Sequence, residues 1–184
     1  MIIKRDIHLH KFQIRWGEPL LEKFAAPPED VLGELSHFEM GIRRFCYGCD
    51  RPISIKIGKE QVKVFLDPDI SMLLEEDLPT QIDQLSRGEK IHLEFVESCC
   101  VTIELVPLDN KVNCNLGYFG YSDSNKNFSL DSSYKQFQLD RKEVLETLTD
   151  FCIKIADMAT ETGYITRQER DDFISPVEIH KISS

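Results

Sequence analysis

Hydrophobic positions change their period several times along this chain, and each change predicts an element. Ile7 and Leu9 alternate with His8 and His10, and Phe12, Ile14 and Trp16 continue one phase later. That pattern reads as a strand with a bulge or turn near Lys11. Gly17-Glu18-Pro19 breaks it. After Pro27-Pro28, the segment Glu29–Leu35 predicts a short helix, weakened by Gly33. Ile53, Ile55 and Ile57 then alternate with Ser54 and Lys56, and Val62 and Val64 with Gln61 and Lys63, around Gly58-Lys59-Glu60. This is a hairpin with one buried face, ended by Asp67-Pro68-Asp69.

From Ile70 the apolar spacing becomes three or four, through Leu73, Leu74, Leu78, Ile82 and Leu85, which is helical. Pro79 interrupts that stripe, so it predicts two short helices or a kink, with Asp77 able to cap the second and Gly88 just past its end. Three strands follow, at Ile91–Phe95, Val101–Leu105 and Val112–Leu116, the last running into Tyr118-Phe119-Gly120-Tyr121. Ser122–Ser133 is polar and predicts a surface loop, and Phe137-Gln138-Leu139 a last edge strand. Asp140-Arg141-Lys142-Glu143 has the form of a capping box. Behind it Val144, Leu145, Leu148, Phe151, Cys152, Ile155 and Ala159 make one stripe, stopped by Gly163. Thr166-Arg167-Gln168-Glu169 predicts another capped start, with Phe173 and Ile174 inward, before Pro176. The middle strands have no helix-length crossovers between them. The fold class is α+β, a largely antiparallel sheet meander packed by a long helix in the C-terminal half and by shorter helices.

At 184 residues the chain reads as a single domain, 1–184, able to bury a core without staples. Charge narrows the partners. Twenty-two Lys and Arg face 32 Asp and Glu, a formal net charge of −10, so nucleic acid and anionic membrane are disfavoured and a basic protein partner is favoured. The N-terminal segment lacks the apolar core of a secretory signal, and no apolar run approaches the ~18 residues that span a bilayer. The expected location is the cytoplasm, with the six cysteines reduced.

Candidate chemistry is sparse. Cys46-Tyr47-Gly48-Cys49 could be half of a zinc site, but no second Cys-x-x-Cys or His-x₃₋₅-His supplies the remaining ligands. The residues therefore read as a loop with two thiols, with no metal and no cofactor expected; a small metal-binding accessory or regulatory domain built on Cys46 and Cys49 is the alternative. His8 and His10 read as solvated residues on the outer face of their strand. Phosphate-binding loops, nucleophile elbows and zinc-protease motifs are absent, so the chain is not expected to be an enzyme. Two acidic groups remain. Asp67, Asp69, Glu75, Glu76 and Asp77 fall in one stretch without a Lys or Arg, and Glu161, Glu169, Asp171, Asp172 and Glu178 form a looser set.

This layout resembles bacterial immunity proteins of polymorphic-toxin and contact-dependent inhibition systems. The resemblance covers roughly residues 53–175: the paired strands, the segment Asp69 to Gly88, the meander, the helix at 141–162 and the Ile165–Glu169 start that follows. It implies a cytoplasmic, non-enzymatic protein that binds and blocks a cognate toxin domain, often a basic nuclease. On that reading Asp67, Asp69, Glu75, Glu76 and Asp77 meet the basic toxin, with Tyr118, Phe119 and Tyr121 as aromatic anchors.

Overall fold

Two β-sheets carry the alternating segments. They are seen in a computed structural model that describes residues 9–23, 26–118 and 133–178. The first sheet has the order β1 (Phe12–Trp16), β2 (Pro52–Ile57), β3 (Glu60–Phe65), and both of its pairings are antiparallel. Phe12 stands opposite Ile57, Ile14 opposite Ile55 and Trp16 opposite Ile53, while Ile53 and Ile55 also face Val64 and Val62. One face is therefore apolar and the other carries Gln13, Arg15, Lys56 and Lys63. The second sheet runs β4 (Ile91–Phe95), β5 (Val101–Leu108), β6 (Lys111–Tyr118), β7 (Ser133–Asp140), again antiparallel throughout. The α+β class and the antiparallel meander read from the sequence are both present, divided over two sheets. The sheets meet where the His10 N–H donates to Gln138 O at 2.8 Å, while the Gly58 N–H continues the β1–β2 pairing by donating to Lys11 O at 2.9 Å.

Five helices cover the apolar faces. They are α1 (His37–Gly48), α2 (Ser71–Glu75), α3 (Leu78–Ser86), α4 (Arg141–Glu161) and α5 (Arg167–Glu178). The Pro79 break divides α2 from α3 as expected, and Asp77 caps α3 from a left-handed conformation, φ 59°, that a short polar side chain tolerates. Asp140 accepts the Glu143 N–H at 2.8 Å at the start of α4. Its stripe Val144, Leu148, Phe151, Cys152, Ile155 and Ala159 is buried. Trp16 of β1 packs on Phe151 at 5.4 Å between ring centroids. Arg141 donates to Leu85 O and Ser86 O at 3.1 and 2.7 Å, tying the start of α4 to the last carbonyls of α3. One buried cluster takes side chains from both sheets and from all five helices.

Three expectations change. Glu29–Leu35 is not a helix. The Asp30 carboxylate accepts the N–H groups of both Glu34 and Leu35 at 3.1 Å, and this local turn competes successfully with helical bonding. The helix instead begins at His37, about two turns further on. Ser36 and Glu39 form a reciprocal capping box, and Phe38, Ile42, Phe45, Cys46 and Cys49 follow at helical spacing. Cys46 and Cys49 consequently occupy a helix end, not a loop. At Gly41, a Cβ would sit 2.3 Å from the backbone oxygen of Tyr164, so only glycine lets α1 approach the α4–α5 connection this closely. Finally, α5 runs through Pro176 to Glu178. Proline removes the N–H that would reach Asp172 O, and the Ser175 hydroxyl donates to that carbonyl instead, at 2.9 Å.

Candidate functional site

An open groove of about 300 Å³ lies between α1, the α2–α3 junction and α5. Its apolar lining is Phe38, Ile42, Leu74 and Phe173, with the two phenylalanine rings 5.0 Å apart. Ile42 and Leu74 are buried, whereas Phe38 and Phe173 keep part of their rings open. Around this floor stand Glu39, Glu75 and Asp77. The Ser36 hydroxyl and backbone N–H hold the Glu39 carboxyl below its ordinary range, so this charge persists in mild acid. Glu75 takes a bidentate pair from Arg43, at 2.6 and 2.8 Å. Asp77 accepts the Thr80 N–H at 3.4 Å. Apolar contact area ringed by carboxylates suits a side chain that is long, partly apolar and cationic.

The acidic stretch seen in the sequence divides among three environments. Glu75 and Asp77 reach this groove, and Glu76 is exposed between them, its carbonyl accepting from the Gln81 amide at 3.2 Å. Asp69 does not belong to a surface. It is 1% exposed, accepts the Phe65 N–H at 2.8 Å and the Ser98 N–H at 3.2 Å, and also takes the Ser98 hydroxyl. A carboxylate so enclosed is held by its donors, and its assignment to partner contact is withdrawn. Asp67 is half-buried beside Asp50, whose carboxylate accepts the Asp67 N–H at 3.0 Å. Tyr118 is half-buried on β6, next to Glu60 at 3.5 Å and under Lys135, and does not line the groove. Phe119 and Tyr121 lie outside the described residues, as do Ile7 and His8. His10 is not solvated: it is half-buried, edge-on to Phe137 at 5.3 Å. In the C-terminal set, Glu169 bonds Thr166 and His37, Asp171 pairs with Arg170 and Asp172 accepts from Gln168. Phe38, Glu39, Ile42 and Arg43 were not singled out from the sequence. Their signal was Ser36-x-x-Glu39, a capping box in front of apolar positions.

Burial raises the carboxyls of Asp50 and Asp67 above the ordinary value of 3.8; the Asp50 charge raises Asp67 further, while the hydrogen bond from the Asp67 N–H partly offsets the rise at Asp50. A raised carboxyl binds its proton more tightly in the folded chain, so these two weaken the fold at neutral pH and cease to do so as pH falls through the carboxylate range. Asp67→Asn is expected to raise the unfolding midpoint at pH 7, with the gain vanishing below about pH 3. Solvent screening at a half-buried site keeps the gain near about 0.5 kcal/mol. Thermal melts of both proteins across pH 3–7 check it; an equal difference at both ends would assign the effect to shape and not to charge.

The two thiols of the Cys46-x-x-Cys49 segment differ in environment: Cys46 is buried and Cys49 half-buried. Desolvation of the fully buried Cys46 pushes its thiol well above the ordinary 9.0, so without a metal it stays a protonated, unreactive thiol at neutral pH. Among the described residues, no group of three His, Cys, Asp or Glu side chains is placed to hold a metal ion, and no helix is long and apolar enough to cross a membrane. All six cysteines are free thiols. Comparison with protein-family models, with curated proteins and with solved structures finds no match to this chain.

Proposed function

We propose that the chain is an immunity-type inhibitor, a non-enzymatic protein that seats on a basic toxin domain and occludes it. The observation that carries this reading is the α1–α2–α5 groove, where an apolar floor is ringed by Glu39, Glu75 and Asp77 on a chain of net charge −10. Apolar area supplies affinity, and carboxylates around it supply steering and selection for Lys and Arg. The carboxylates are pre-positioned: Glu39 by a capping box, Asp77 by its N-cap, and Glu75 by Arg43. A partner therefore meets them without ordering long side chains. Arg43 also occupies Glu75 as an incoming guanidinium would.

The test is co-expression with any toxin domain found encoded beside this gene, and the absence of a basic toxin there counts against the reading. Cells carrying the chain are expected to survive that toxin and to remain sensitive to unrelated ones. The toxin should be recovered intact, in a one-to-one complex. Undiminished toxin activity in the presence of saturating purified protein overturns the reading.

A further inference from the structure

The segment that failed to form a helix, Asp30–Leu35, is held as a locked turn. The Gly33 N–H donates to Asp30 O at 3.3 Å, with Gly33 at φ +66°, and the Asp30 carboxylate takes the next two N–H groups, one on each oxygen. Between these bonds stand Val31 and Leu32, 84% and 77% exposed. Two adjacent branched side chains fully in water gain nothing for the fold, while the turn that displays them is fastened by three hydrogen bonds. The turn also leads directly into the groove. Ser36, four residues beyond Leu32, both caps α1 and lines it, and Asp30 lies near enough to influence Glu39 and Arg43 electrostatically.

We infer that Val31 and Leu32 form a preformed apolar anchor, which enters an apolar pocket on the same basic protein partner that the groove receives. This rests on the reading of the groove as a partner-binding surface. The occupant follows from charge complementarity. Asp30, Glu39, Glu75 and Asp77 flank the anchor and the groove, so the pocket that accepts Val31 and Leu32 is bordered by Lys or Arg. A second copy of this chain would bring −10 against −10. Binding energy concentrates at residues that fill well-packed, desolvated pockets ringed by near-neutral contacts, the environment that an apolar pocket would give Val31 and Leu32. A turn already locked in its bound shape loses little further freedom on binding.

A display library of short random peptides, selected on the immobilised full-length chain, tests this. Enriched peptides are expected to join Lys or Arg to a branched or aromatic residue. They should bind a Val31→Ser/Leu32→Ser variant at least about tenfold more weakly and keep their salt dependence. The variant's unfolding midpoint is expected to match the parent chain, because both side chains are already in water. Asp30→Ala, which unlocks the turn and keeps both apolar side chains, should lose binding to an intermediate degree. Basic-apolar peptides that bind the double serine variant as tightly as the parent overturn the anchor and leave the groove reading standing. Peptides without Lys or Arg that still require Val31 and Leu32 overturn the basic partner. Enrichment of no peptide overturns both. Self-association of the parent chain that the serine variant lacks assigns the turn to a second copy, and overturns the inference.

Discussion

Asp69→Ala is expected to lower stability by about 2–4 kcal/mol, because it removes the buried acceptor that two part-buried backbone donors and a hydroxyl share. Asp69 sits in the wide turn Leu66–Ile70 that follows β3, and its two oxygens take the N–H groups of Phe65 and Ser98 and the Ser98 hydroxyl. Phe65 ends a strand of the first sheet, and Ser98 belongs to the connection between β4 and β5 of the second. One side chain thus fastens the turn to both sheets. The Ser98 hydroxyl can turn to water, so the main cost falls on the two backbone N–H groups. For a chain of this length the loss corresponds to a midpoint roughly 5–15 °C lower. Asp69→Asn retains one acceptor oxygen and places an NH₂ near existing donors, so it should fall between the parent and Asp69→Ala. Chemical denaturation of the three proteins at pH 7 checks the order. A loss under about 0.5 kcal/mol for Asp69→Ala would mean that the carboxylate is solvated, as the bare acidic run suggests.

Local periodicity explains what was readable in the sequence. The Ile53–Val64 hairpin, the Pro79 break with its Asp77 cap, and the α4 stripe each combine a strong period with matching punctuation. In these segments propensity and burial agree, which makes the element visible without tertiary information. Helix α1 was hidden by composition. Gly41, Gly48, Tyr47 and two cysteines are poor helix formers, and Gly41 is present because Tyr164, far along the chain, lies against it. Its neighbour Glu29–Leu35 offered Pro28, a carboxylate and spaced apolar residues, the ingredients of a helix start. Asp30 bonding back to the chain decided against it, a choice that spacing does not encode. The division of the acidic run is likewise tertiary. Asp69 and Asp77 look alike in sequence, yet one is enclosed by Ser98 and the other stands at an open cap. The groove joins Ile42, Leu74 and Phe173, residues that come together only through packing of three helices.

Neutralising the groove without disturbing its caps is expected to weaken binding of the proposed basic partner by about 10- to 100-fold, or about 1.4–2.8 kcal/mol. The structure dictates how the charges must be removed. Reversing Asp77 would break the N-cap of α3, and reversing Glu75 would set a cation against Arg43. Both changes would confound binding with folding. Glu39→Gln keeps a side-chain acceptor for the Ser36 N–H, Glu75→Gln keeps one for Arg43, and Asp77→Asn remains a competent cap. The combined variant should therefore melt close to the parent chain. Its association with the proposed partner should slow, because three carboxylates would no longer steer a basic surface to the groove. The salt dependence of the rate should flatten, since exposed charges act over a Debye length of about 8 Å at physiological ionic strength. Glu76→Gln, at an exposed position between the two, should add a smaller effect. A control, Glu94→Gln with Glu97→Gln in and after β4, removes exposed acidic charge at positions that do not line the groove. Stopped-flow association at two salt concentrations separates the cases. If the control slows binding as much as the groove variant, only net charge matters and the groove is not the docking face. If neither changes the rate or its salt slope, the proposed basic partner is wrong.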